Sequence, residues 1–273
     1  MAGKHVGRRV YVKRRGPCPA AWLALLTGAA LMAFVFLARP AIQTLAVDLN
    51  QPPEVQEPVT QDVSLKAMEI HLVVLAQQED PIQARIEAAR YVPRGAAGYL
   101  LERDGVYQVV GNGYAALEEA EKVAQTLEEE EDIPAQVLSY AGAEALLRVT
   151  ATPAQQSALA EGEALARRLE EELRGHALAL DRGERQAPVV RAALSLCAQE
   201  AQQAGDRLSR AAGETPNPVA AGVIQLLEQL AQDCGQLARE EQDTPLTFSS
   251  RLKYAYLAAV LGHIGFLNSL APS

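Results

Sequence analysis

The apolar positions of this chain change period several times. EIHLVVLA, 69–76, is a run of aliphatic residues that predicts a strand. Ile70, Leu72 and Val74 alternate with His71, Val73 and Leu75, so both of its faces read as apolar, and a strand of that kind is covered on both sides. From Asp80 the period becomes helical. Asp80 and Pro81 form a cap and first-turn pair, and Ile82, Ile86 and Ala89 share a face. GYLLERDGVYQVVG, 98–111, predicts two short strands joined at Asp104–Gly105, a dipeptide suited to a tight hairpin. Ala115 to Glu130 predicts an amphipathic helix with Leu117, Ala120, Ala124 and Leu127 as its stripe, and IPAQVLSY, 133–140, a further strand. The order βαββαβ fits a small split βαβ, ferredoxin-like sheet. ALLRVT, 145–150, reads as an added edge strand. Beyond it a long helix, capped by Thr152 with Pro153 in its first turn, runs to about Leu180. Three more follow, over about 188–212, 218–240 and 248–269, separated by GETPNP and DTPL. These C-terminal helices are the candidate cover for the second face of the first strand.

The N-terminal pattern is different. Ala20 to Ala38 carries no charge, and six basic residues precede it, Lys4, Arg8, Arg9, Lys13, Arg14 and Arg15, with no acid before Asp48. A run of that length is about enough for one bilayer-spanning helix, and the charge bias places its N-terminal end in the cytoplasm. A cleaved secretory signal is the alternative, although Arg39 and Pro40, rather than a small-residue cleavage site, follow the run. Residues 39–66, rich in Pro, predict an extended stalk. The expected fold class is therefore α+β: a basic cytoplasmic tail (1–19), a single transmembrane helix (20–38), a Pro-rich linker (39–66), a small βαββαβ domain (67–150) and a mostly α-helical C-terminal region (151–273). The expected location is the cell membrane, single-pass, with the C-terminal domains outside the cytoplasm.

Charge narrows the choice of partners. Residues 41–273 hold 18 basic and 34 acidic residues, a net −16, which argues against nucleic acid. Neutral sugars and other proteins remain. The histidines at 5, 71, 176 and 263 have no metal-ligand spacing, GNG at 111–113 lacks the Lys and Ser or Thr of a phosphate loop, and no Ser or Cys sits in a nucleophile elbow. The chain is expected to be non-enzymatic, with no cofactor or metal. Cys197 and Cys234 lie nearly equidistant from Thr215, so antiparallel helices bring them to one height and a disulfide is possible. Two reduced, buried thiols are the alternative.

Residues 107–120, YQVVGNGYAALEEA, combine an aromatic–x–hydrophobic strand, a glycine-containing turn with an aromatic, and an Ala- and Glu-rich helix. Tyr107, Val109, Tyr114 and Ala120 hold those places, and Ala84 fits the helix opening in LVVLAQQEDPIQA, 72–84. In this the segment from Glu69 to about Tyr140 resembles the sporulation-related repeat (SPOR) domain family. The resemblance implies a membrane-anchored member that binds peptidoglycan glycan strands during cell division or sporulation. Val74 and Ala76 stand where the family carries Gln and then Gly, and Gln108 and Val110 where it carries arginines. Sugar recognition uses side-chain hydrogen bonds and an aromatic face, so the glycan-binding candidates are Gln77, Gln78, Tyr99, Gln108, Asn112 and Tyr114. The alternative is a degenerate SPOR-like domain that binds other envelope proteins.

Overall fold

The computed structural model describes residues 57–240 and 244–270. The expected cytoplasmic tail and transmembrane helix lie outside them. Among the described residues, no helix is long and apolar enough to cross a membrane. The expected fold class is corrected accordingly. The described chain is α+β with six helices and two sheets, and the C-terminal helices share one core with the sheet, as the doubly apolar strand at 69–76 led one to expect.

The strands are β1 (Val59–Leu65), β2 (Met68–Gln78), β3 (Tyr99–Arg103), β4 (Val106–Tyr114), β5 (Gln136–Gly142) and β6 (Ala145–Ala151). The helices are α1 (Pro81–Tyr91), α2 (Leu117–Glu131), α3 (Pro153–Asp181), α4 (Ala187–Ala212), α5 (Pro218–Arg239) and α6 (Pro245–Leu270). The larger sheet has the order β3-β4-β2-β5, with every neighbouring pair antiparallel. The β3–β4 hairpin turns through Asp104 and Gly105, both at positive φ (53° and 78°), as a two-residue hairpin requires.

The second sheet departs from the expected layout in two ways. Val59–Leu65, expected as the end of a stalk, forms a strand. The predicted edge strand β6 pairs with it, from Val59↔Ala151 to Leu65↔Ala145, and not with the larger sheet. Leu65 and Ala145 anchor this ribbon in the main core, while the Thr60 and Thr150 hydroxyls meet at 2.7 Å on its exposed side. A Pro-rich composition masked the seven pairing residues that follow Pro58.

Local signals explain most helix starts. The Asp80 carboxylate accepts from the Ile82 amide at 2.7 Å. Thr152 and Gln155 form a reciprocal capping box, and Asn217 accepts from the Ala220 amide at 2.9 Å. One expected face was wrong. α1 buries Ala84 and Ala88, and leaves Ile82 64% and Ile86 49% exposed. Small residues allow α1 to lie close on β2 and β4, whereas a branched stripe would hold it away.

The helices α3 to α6 run up-down-up-down. Arg168 meets Glu200 between α3 and α4, Gly235 of α5 lies against Ala198 of α4, and Gly222 of α5 lies under Phe266 of α6. α6 is the bridge to the sheet. Ile70, Leu72, Val74 and Val110 share its core with Phe248, Leu252, Leu257 and Ile264. The opposite face holds Val73 and Leu75 against Ala120 and Ala124 of α2 and against Ile133. Both faces of β2 are thus covered, as its doubly apolar pattern required. Gly113 permits the close approach: a Cβ there would lie 2.8 Å from Leu257 and 2.5 Å from Ile70.

Candidate functional site

Directly opposed residues of neighbouring strands share a sheet face. Tyr99 opposes Val110, Gln108 opposes Leu101, and Gln77 opposes Gln108, so Tyr99, Gln108 and Gln77 lie on the face that α6 covers. Asn112 opposes Val73 and Tyr114 opposes His71, which places both on the α2 face. Gln78 follows Gln77 in β2 and alternates to that same side. The six sugar-binding candidates therefore divide three and three, and form no single surface.

A bulge causes the division. Simple alternation along β4 puts 108, 112 and 114 on one face. In the structure Val73 pairs with Asn112 and Val74 with Val110, which leaves Gly111 unpaired. One extra residue reverses the facing of everything beyond it. Gly111 is suited to the place, because a Cβ would lie 2.8 Å from Leu75, the residue skipped on β2. Its carbonyl accepts from the Ala97 amide at 2.7 Å.

On the α6 face, the Tyr99 ring meets Tyr254 at 5.1 Å between centroids, tilted by 53°. Burial raises the Tyr99 hydroxyl pKa above its ordinary value, with smaller contributions from Tyr254 and Tyr140. The Gln108 Oε1 is buried and has no hydrogen-bond partner, while Gln77 is exposed.

On the α2 face, Asn112 and Tyr114 line a cavity of about 200 Å³. Its apolar wall is Val73, Leu75, Val123, Leu127 and Ile133. Its polar end is built from three elements. The Lys253 Nζ of α6 donates to the Gly95 carbonyl at 2.7 Å and pairs with Asp181 of α3 at 2.6 Å. Ser249 also donates to Asp181, and Arg94 and Glu131 form an ion pair at 3.2 Å beside the cavity wall. Burial raises the Tyr114 pKa, and the hydrogen bond with Asn112 partly opposes that shift. The cavity is suited to one apolar group whose tip reaches a polar end. Among the described residues no cluster of His, Cys, Asp or Glu is placed to hold a metal.

Lys253, Asp181 and Arg94 escaped the sequence reading. One signal was available: Lys253 is the last lysine of the chain and sits in the apolar run of α6, and a lysine in such a place needs a partner.

Of the two possibilities for the cysteines, the structure has the reduced pair and not the disulfide. Cys197 and Cys234 are free, buried thiols. The Cys197 thiol donates to the Glu172 carboxylate of α3 at 3.2 Å, so the rotation of α4 turns it toward α3. Burial pushes both thiols up to about 12.

No protein family, curated protein or solved structure matches this chain.

Proposed function

We propose that this chain is a non-enzymatic, SPOR-like interaction module working outside the cytoplasm, and that it holds a protein partner through the cavity beside Tyr114. The observation that carries this reading is the division of the two sheet faces. α6 lies on the face bearing Tyr99 and Gln108, while the other face offers a preformed cavity of about 200 Å³, the size of one side chain and too small for a glycan strand. Buried apolar anchors of this kind dominate protein interfaces. The SPOR resemblance and the strongly acidic outer sequence support a protein or neutral-sugar ligand over nucleic acid.

Peptidoglycan glycan is the second reading. It is favoured by the Tyr99–Tyr254 pair, since Tyr254 is half-exposed and offers part of an aromatic face.

Co-sedimentation of the purified protein with denuded sacculi separates the two. The expected result is retention no greater than that of an unrelated acidic protein, together with a site-specific photo-crosslink from Leu127 to one partner that Leu75→Trp abolishes. Retention above the control that Tyr99→Ala or Gln108→Ala weakens would overturn the protein-partner reading and establish glycan binding.

A further inference from the structure

A second cavity lies on the far side of α6, between α5 and α6. It measures about 560 Å³, within the range of small-molecule sites. The two helices are antiparallel here: Pro218 and Ser269 line one end, and Leu230 and Ala259 the other. The N-terminal dipole end of α5 and the C-terminal end of α6 thus meet and offset one another.

Glu170 of α3 lines this groove although it is only 3% exposed. Its Oε1 is 2.8 Å from Nδ1 of His263, which is fully buried. The other ring nitrogen, Nε2, has no hydrogen-bond partner; the nearest acid, Glu163, is 3.9 Å away and is engaged by Arg167. No lysine or arginine among the described residues lines the groove, whose other polar lining side chains are the neutral Gln225, Gln229 and Ser269. An ionised carboxylate accepts about four hydrogen bonds, and a buried one is costly unless paired. One imidazole nitrogen satisfies this carboxylate incompletely. Phe266 adds an aromatic wall, which is also favourable to a cation.

We propose that the α5–α6 groove binds a primary ammonium or guanidinium group carried on an apolar stem, with Glu170 as its counter-ion. His263 is a positioning residue that fixes one carboxylate oxygen and leaves the other for the ligand. The stem lies along Phe266 and Gly262, where the missing side chain at 262 leaves the groove open. The site is separate from the cavity beside Tyr114, and it stands or falls independently of the partner proposed there.

The test is titration of the full chain with n-butylammonium, n-butylguanidinium and the neutral n-butanol, followed by calorimetry. Saturable binding of the cations and none of the alcohol is expected, with a loss of roughly tenfold or more in Glu170→Gln. Gly262→Leu provides a second variant that blocks the groove from outside. A Cβ at Gly262 meets no atom within 4 Å, and leucine favours a helix over glycine, so this variant keeps its fold while losing the ligand. A capped lysine peptide distinguishes the source: binding equal to the free amine assigns a protein side chain, and binding of the free amine alone assigns a small molecule. Equal affinity for cation and alcohol, no saturable cation binding, or cation binding unchanged in both variants would overturn the proposal.

Discussion

Lys253→Met tests how strongly the helices are tied to the sheet. The Lys253 side chain is 9% exposed and joins three elements: its own helix α6, the turn carbonyl of Gly95 and the Asp181 carboxylate at the end of α3. Methionine keeps much of the packing of the stem, so the change removes mainly the charge. A charge-assisted hydrogen bond to a carbonyl contributes about 1.5–3 kcal/mol. Breaking a fully buried ion pair costs about 3–5 kcal/mol, chiefly because the surviving charge is stranded. Asp181 is 30% exposed and keeps the Ser249 hydroxyl, which lowers that second contribution. The expected loss is about 3 kcal/mol by urea unfolding, with an unchanged denaturant slope. Lys253→Met with Asp181→Leu should recover at least half of it, since no charge is then left unpaired. Arg148→Ala, which breaks the exposed Arg148–Asp62 pair at 3.4 Å, should change stability by no more than about 0.5 kcal/mol. A loss below about 1 kcal/mol for Lys253→Met, or a double variant as unstable as the sum of its single changes, would refute the reasoning.

Three further outcomes follow from the same packing. Burial raises both cysteine pKa values from 9.0 to about 12. Their contribution to stability is therefore complete below pH 9 and is lost as pH rises toward 12; unfolding curves across that interval should flatten in Cys197→Ala with Cys234→Ala, and native thiols should resist iodoacetamide at pH 8. Thr152→Ala removes the cap of α3 and should cost about 1 kcal/mol in thermal or urea unfolding. Gly113→Val places a side chain against Ile70 and Leu257 and should cost about 1–3 kcal/mol. Leu257→Ala in the same chain should relieve part of that cost, and a purely additive loss would show that the crowding lies elsewhere.

The element boundaries were largely legible. Expected strands at 69–76 and 133–140 appear at Met68–Gln78 and Gln136–Gly142, and the four C-terminal helices begin and end within a few residues of their sequence signals. Asp80, Thr152 and the Asp104–Gly105 pair act through neighbours only a few positions away, so their effect can be read locally. The fold class was not legible, and of the candidate site only Asn112 and Tyr114 were. The Gly111 bulge is invisible to a period-two count, yet it separates Asn112 and Tyr114 from Gln108. The Ile82–Ile86 stripe looked like a buried face, but α1 packs through Ala84 and Ala88. Equal height did not make a disulfide, because the rotation of α4 directs Cys197 to Glu172.

By itself the sequence determined the caps, the turns, the alternation that demanded cover on both faces of β2, and the acidic character of residues 41–273. These depend on near neighbours and on summed charge. Tertiary structure decided which helix supplied the cover, which strand β6 joined, and where Lys253, Asp181, Glu170 and His263 found partners. Those outcomes rest on contacts between residues far apart in the chain, where helix rotation and strand register are set by mutual packing and leave no mark in local periodicity.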